Sequence, residues 1–228
     1  MGRTIEGLAV AKGHEIVLKI TDKNLSDLTA ENLKQADVAI EFTTPHSAFS
    51  NISLCLKAGV PVVSGTTAWL DKYEDAKALC LETKGAFFYA SNFSVGVNIF
   101  FALNKYLADM MSQYDDYNPT MEEIHHTQKL DAPSGTGITL AEGILEKIAR
   151  KSKWVNNETE TPEELALVSK RIDKVPGTHT VNYSSPIDTI EITHVAHSRE
   201  GFAKGALSAA EWIVGKEGCF GMSDMLGF

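Results

Sequence analysis

The residues best suited to chemistry fall in one string of twelve, His125-His126-Thr127-Gln128-Lys129-Leu130-Asp131-Ala132-Pro133-Ser134-Gly135-Thr136. Two imidazoles and an ammonium stand within five residues of one another. A Pro-Ser-Gly-Thr turn follows, then an apolar-periodic run over residues 138–148 that reads as a helix continuing to about Arg150. At a helix start the first backbone N–H groups lack intrahelical partners and attract anions. The amides and hydroxyls of Ser134, Gly135 and Thr136 therefore suit a carboxylate or a phosphate. An imidazole, an ammonium and such a cradle together suit proton transfer to a carboxylate-bearing substrate.

The elements that must position these groups can be read from the pattern. Residues 120–126 look like a strand, so His125 and His126 should face opposite sides of it. One histidine can then face a cleft while the other packs or orients, and Lys129 returns to the cleft after a bend. Taken singly, each feature has a plainer meaning. A histidine pair is often structural or solvated, and a Ser/Thr turn before a helix is often only a cap. A zinc hydrolase built on His125 and His126 is a rival reading, but the string has no cysteine and no spaced carboxylate of the usual ligand pattern.

The same string resembles the substrate loop of the dihydrodipicolinate reductases, a family of lysine and diaminopimelate synthesis. The family pattern is His-His, two variable residues, Lys, one further residue, then Asp-Ala-Pro-Ser-Gly-Thr, and every fixed position is present here.

Composition sets bounds. The 228 residues allow one large or two small domains, and 43% hydrophobic content is ample for a core. A net charge of −9 argues against nucleic acid or an anionic membrane as the main partner, though not against a small anion drawn by a local field. Cys55, Cys80 and Cys219 are few, odd in number and widely spaced, which suggests a reducing cytoplasm. No apolar run is long enough to span a bilayer, and no signal peptide is visible.

Taken in order, the chain opens abruptly on an amphipathic helix over residues 4–11, broken by Gly13-His14. Residues 15–20 read as a strand closed by Thr21-Asp22, the second half of a β-α-β unit. Residues 24–35 are weakly helical, 37–42 a strand, 47–57 a helix ended by Gly59, 61–64 a strand, 71–83 a helix and 86–89 a strand. This alternation implies a Rossmann-like, doubly wound parallel sheet, whose ligands bind at the carboxyl ends of the strands. The loops 43–45, 65–67 and 90–93 fall at those ends. A long helix over 96–112 follows. After the His-His loop and its helix, residues 151–162 look exposed and 163–170 helical. Residues 179–183 and 188–196 look like strands, the latter with Ile190, Ile192 and Val195 on its apolar side, and 202–214 like a final helix. The change of pattern near Val95 predicts a dinucleotide-binding domain of residues 1–94 and 203–228. An α+β domain with a mixed sheet, residues 95–202, would bind substrate and carry oligomerisation, with the ligand cleft between the two.

The resemblance extends over nearly the whole chain. Gly65-Thr66-Thr67 resembles the family's segment beside the nicotinamide ribose, and Ala90-Ser91-Asn92-Phe93-Ser94-Val95-Gly96-Val97-Asn98 its hinge at the nicotinamide end. Val175-Pro176-Gly177-Thr178 and the string from Ile192 to Arg199 also match, and His194 could support the site or be a satisfied sheet histidine. Against the family, the chain lacks a first strand and most of a glycine-rich loop, of which Met1-Gly2 would be the tail.

The resemblance implies a cytoplasmic, tetrameric oxidoreductase. It would reduce 4-hydroxy-tetrahydrodipicolinate, a cyclic dicarboxylate, with NADH or NADPH. His125 and Lys129 would handle the proton, and His126, Gly135 and Thr136 would hold the substrate. Gly65, Thr66, Thr67, Ala90, Ser91, Asn92 and Phe93 would meet the cofactor, and no metal is called for. Asp22 would bond the adenosine ribose, weakly favouring NADH. An alternative is the same fold with impaired cofactor binding, acting as a dicarboxylate-binding protein.

Overall fold

A computed structural model describes residues 1–198 and 200–228; Arg199, the last residue of the matched string, lies outside them. Helices α1 (Gly2–Ala11), α2 (Ala30–Leu33), α3 (Pro45–Ala58), α4 (Tyr73–Glu82), α5 (Val95–Met111), α6 (Gly135–Leu145), α7 (Glu200–Ile213) and α8 (Met222–Leu226) are joined by strands β1 (Ala39–Glu41), β2 (Val62–Ser64), β3 (Ala86–Tyr89), β4 (Asn118–His125), β5 (Lys153–Val155), β6 (Glu164–Arg171), β7 (Gly177–Ser184), β8 (Thr189–Ala196) and β9 (Gly218–Phe220). Met1–Val95 and Glu200–Phe228 form one compact unit, and the stretch between them, from Gly96, forms a second.

The first unit is built on a four-stranded sheet in the order β1-β2-β3-β9, every pair parallel. Adjacent residues of one strand serve opposite faces. Val63 and Phe88 pack with Ile5, Ala203, Ala206, Ala210 and Ile213 on one side. Val62 and Phe87 pack with Ile52, Leu56, Trp69 and Cys80 on the other. A sheet covered by helices on both faces is the reason its strands read as unbroken apolar runs. Helix α3 starts at Pro45, whose fixed φ suits the first helical position. It ends at Gly59, which takes the left-handed conformation (φ 75°) that a side chain would resist.

The second unit holds a five-stranded mixed sheet in the order β5-β6-β4-β7-β8. Strands β5, β6 and β4 run parallel, while β4, β7 and β8 alternate in direction. Helices α5 and α6 cover one face through Phe100, Leu107, Met111, Leu140 and Ile144, which meet Met121, Leu165, Leu167, Val181 and Tyr183 from the sheet.

Several expectations need correction. Residues 15–20 form no strand. A strand exists only through ladder bonds to a neighbour, and the described sheet ends at β1 on one side and β9 on the other. Ile16 and Val17 are accordingly 40% and 41% exposed. Asp22 therefore sits in an exposed turn rather than at a strand end. The stretch expected to be helical over 163–170 instead forms the strand Glu164–Arg171: Leu165, Ala166 and Leu167 are all buried between β5 and β4, and burial outweighs the helix preference of Glu, Leu and Ala. The stretch 151–162 is not wholly exposed, since it contains β5, and the Lys151 ammonium is buried, donating to Asn118 Oδ1 and the Glu164 carbonyl at 2.8 Å each. Helix α6 begins and ends earlier than its apolar period suggested. Val195 is 49% exposed on β8, because it is out of phase with Ile190 and Ile192. His194 takes the place in their row and packs on the Phe100 ring at 5.9 Å.

Candidate active site

The buried face of the second sheet changes character along its length. Met121 of β4 stands opposite Val181 of β7, and two residues on, Glu123 stands opposite His179. On the other flank Glu123 pairs with Ser169 and His125 with Arg171 of β6. The two-residue period thus carries one row from an apolar core into a polar end made of Glu123, His125, Ser169, Arg171 and His179.

Glu123 is fully buried. Its carboxylate accepts from the Ser134 backbone N–H at 3.0 and 3.1 Å, from the Ser134 hydroxyl at 2.5 Å and from the Ser169 hydroxyl at 2.9 Å. The Arg171 guanidinium lies 3.5 Å from Oε1, and His179 Nε2 lies 3.6 Å from Oε2. Burial alone would raise this carboxyl's pKa, but His179, Ser134 and Ser169 together outweigh it and hold it down at about 2.

His125 is 7% exposed, with Nδ1 3.8 Å from Glu123 Oε1. Burial pushes its pKa down to about 4; Glu123 opposes this, and the charges of His179, Lys129 and Arg171 add to it. The imidazole is therefore neutral at neutral pH. Gly177 makes room for it, since a Cβ there would stand 3.2 Å from Nε2.

The connecting loop turns back through a bond from Lys129 N–H to the His126 carbonyl at 3.1 Å. Lys129 Nζ donates to Asp131 at 2.8 Å, holding that carboxyl below its ordinary range. Arg171 fastens the loop by donating to the carbonyls of Lys129 (3.4 Å) and Asp131 (2.5 Å). Ser134 then caps α6 by accepting from Gly137 N–H at 3.0 Å. Gly135 is exposed and Thr136 half-buried in the first turn, and His126 is half-buried just past the end of β4. The fold therefore gathers His125, Lys129 and the start of α6 at one end of the second unit.

Among the described residues, one group of side chains offers metal-ligand spacing: Glu123, His125 and His179, with one donor atom each within 4.8 Å. His126, the partner required by the metal-hydrolase reading, is not among them. Both Glu123 oxygens are already engaged by Ser134 and Ser169, with a guanidinium beside them. This is the donor set of a hydrogen-bonded carboxylate.

In the first unit the loops 43–45, 65–67 and 90–93 follow β1, β2 and β3 at their carboxyl ends. Two are tied by a residue that sequence reasoning passed over. Glu41 is buried at the end of β1, and its carboxylate accepts from Thr43 N–H at 3.0 Å, Ser64 Oγ at 2.5 Å, Thr66 Oγ at 2.8 Å and the Thr43 hydroxyl. Gly65 donates its N–H to the Glu41 carbonyl at 2.9 Å and lies against the Phe42 ring, only 2.2 Å from where its Cβ would be. Thr66 and Ala90 are buried and Thr67 and Ser91 exposed. Asn92 accepts from Ser94 N–H at 2.9 Å through Oδ1, and Phe93 is buried against Phe88. Glu123 was missed as well, although the period counted back from His125 puts it on the same face.

The comparisons agree with this geometry. The family model described as dihydrodipicolinate reductase, N-terminus, matches residues 1–93, and that described as dihydrodipicolinate reductase, C-terminus, matches residues 96–226. A 4-hydroxy-tetrahydrodipicolinate reductase of Christiangramia forsetii is 51% identical over 228 residues, covering 99% of this chain and 93% of the relative. One from Methanoregula boonei is 36% identical over 197 residues, 85% of this chain and 76% of the relative. The solved structure of a dipicolinate-bound dihydrodipicolinate reductase from Paenisporosarcina sp. TG-14 shares the fold, with a TM-score of 0.78 at 22% identity over 98% of this chain and 94% of that one. With both halves matched and the identity sustained along its length, this chain belongs to the dihydrodipicolinate reductase family.

Proposed function

We propose that the protein reduces 4-hydroxy-tetrahydrodipicolinate to tetrahydrodipicolinate, a step of lysine and diaminopimelate synthesis, using NADH or NADPH. The observation that carries this reading is the polar end of the second sheet, where a neutral imidazole and an ammonium stand beside the start of α6 in a chain 51% identical to such a reductase.

A nicotinamide cofactor fits the first unit. The loops following β1, β2 and β3 are held at the strand ends where nucleotides bind in such sheets. Gly65, whose absent side chain leaves room for Phe42, keeps one of them flat against its neighbour. Gly65, Thr66, Thr67, Ala90, Ser91, Asn92 and Phe93 would hold the nicotinamide end, and Asp22, in its exposed turn, would meet the adenosine ribose. When bound, the cofactor supplies a hydride.

The remaining work falls to the protein. Replacing the 4-hydroxyl by hydrogen consumes one hydride and one proton, with the oxygen leaving as water. His126 and the first-turn amides of Gly135 and Thr136 receive the carboxylates. Lys129 delivers the proton and stabilises developing negative charge. His125 is neutral before substrate arrives because burial and three neighbouring cationic or ionisable groups disfavour its charge. A dianion bound beside it adds negative charge and raises its affinity for a proton. This lets it share proton handling with Lys129. In the finer picture the enzyme is a cytoplasmic homotetramer, assembled through the edge strand β8, where Ile190 and Val195 lie exposed.

The test is turnover. Purified protein should oxidise NADH or NADPH only when 4-hydroxy-tetrahydrodipicolinate is present, with dipicolinate competing against that substrate. Dipicolinate binding without turnover would instead leave a dicarboxylate-binding protein. Absence of both binding and turnover would refute the assignment.

A further inference from the structure

We propose that Glu123 is a positioning residue of this site. Its carboxylate locks the start of α6 to the strand that bears His125, so that one buried group sets both the anion-holding turn and the proton-handling ring. The proposal rests on the reading above for His125, Gly135 and Thr136.

The connection to α6 is made by bonds. The Ser134 N–H points between the two carboxylate oxygens, 3.0 and 3.1 Å away, and the Ser134 hydroxyl donates to Oε2 at 2.5 Å. That hydroxyl oxygen in turn accepts from Gly137 N–H at 3.0 Å. A relay therefore runs from carboxylate to hydroxyl to the third amide of the helix. Gly137 belongs to the same device: a Cβ there would stand 2.7 Å from Oε2, so the carboxylate can approach the helix only because that position is bare. The connection to His125 is electrostatic: the 3.8 Å separation from Nδ1 is too long for a hydrogen bond, and among the described residues Nδ1 has no hydrogen-bond partner. Ser169 and Arg171 hold the carboxylate from the β6 side.

This arrangement makes Glu123→Gln informative. The Ser134 N–H bonds both oxygens and can only donate, so an amide of the same shape must turn its NH2 group toward that N–H whichever way it lies. Losing a hydrogen bond to a charged group and misplacing the cradle predicts dipicolinate binding weaker by about tenfold or more. NADH affinity should stay within about twofold, because the cofactor loops belong to the other unit. Ser134→Ala keeps the backbone bond but cuts the relay, and should weaken dipicolinate several-fold. Because both substitutions break one relay, the double variant should bind about as weakly as Glu123→Gln alone.

The experiment is calorimetric titration of unaltered protein, both single variants and the double variant with dipicolinate and with NADH, well below every melting transition. Weak dipicolinate binding, retained NADH binding and a non-additive pair support the proposal. Variants that melt earlier yet bind dipicolinate normally make Glu123 a structural carboxylate and overturn it, as does an additive pair. If Glu123→Gln does not fold, unchanged binding by Ser134→Ala is enough to overturn it. Failure of the unaltered protein to bind dipicolinate defeats the functional reading itself and takes the proposal with it.

Discussion

A Cβ on Gly205 would stand 1.7 Å from the carbonyl oxygen of Phe93. Helix α7 thus touches, backbone to backbone, the loop proposed to meet the nicotinamide. Two backbones this close leave no flexible side chain to yield. Gly205→Ala should therefore displace the 90–93 loop, at a stability loss of about 1–3 kcal/mol. NADH binding should weaken by about tenfold, because a small misplacement of positioning groups is enough for that, while dipicolinate binding is retained. Fluorescence titration with both ligands checks it, and equal losses for the two would point to general unfolding instead.

Lys129 donates to Asp131 and lies close enough to His125 to influence its charge. If it delivers the proton, Lys129→Ala should lower turnover by roughly two to four orders of magnitude, with NADH affinity little changed. Steady-state rates alongside NADH titration separate the two effects. Undiminished turnover would remove Lys129 from the mechanism.

The buried row also fixes how the fold responds to acid. In the folded protein His125 gains its proton only near pH 4, against 6.5 as the ordinary value, and Glu123 only near pH 2, against 4.5. Between 6.5 and 4 the unfolded chain binds a proton at His125 that the folded one refuses. Between 4.5 and 2 the same holds at Glu123. In both windows unfolding takes up protons, so stability falls as pH falls, by up to about 1.4 kcal/mol per pH unit for each group. Urea unfolding at a series of pH values should show this slope, and His125→Asn should flatten the upper window. An unchanged slope in that variant would contradict the assignment.

Gly177 faces the His125 ring at a distance that a methyl group would make tight, 3.2 Å from Nε2 and 3.3 Å from Cδ2. Its backbone has no unusual φ, so alanine meets no strain there beyond the ring itself. Gly177→Ala should tilt the imidazole and lower turnover several-fold, about as expected for a displaced proton-handling group, with a melting temperature shifted by only a few degrees. Loss of turnover only in proportion to loss of folded protein would argue against it.

What the sequence reveals of this fold depends on whether the cause is local. The Pro-Ser-Gly-Thr turn, the helix stop at Gly59 and the buried runs of β2 and β3 each carry their reason within a few residues, and they fall where the pattern puts them. Residues 164–171 do not, because their strand state comes from burial between β5 and β4, which no local preference records. Residues 15–20 have strand composition but no described neighbour to pair with. At the site, His125 and Lys129 announce themselves by type and spacing. Glu123 shares the two-residue period of His125, but what it and Glu41 bond to becomes visible only when the register brings Ser169 beside one and the parallel ladder brings Ser64 beside the other. The error over Val195 was one of parity, since a single residue of phase decides which face a strand side chain occupies.

Strand β9 joins the parallel sheet beside β3, although some 130 residues separate the two and the entire mixed sheet is threaded between them. On the ribosome, synthesis runs from the N-terminus, so the inserted lobe emerges whole before the last strand of the outer one exists. Until Gly218–Phe220 arrive, β3 has an open edge on that side. The interrupted lobe is therefore the one exposed to mispairing during translation, and the lobe bearing the histidine loop is free to fold first.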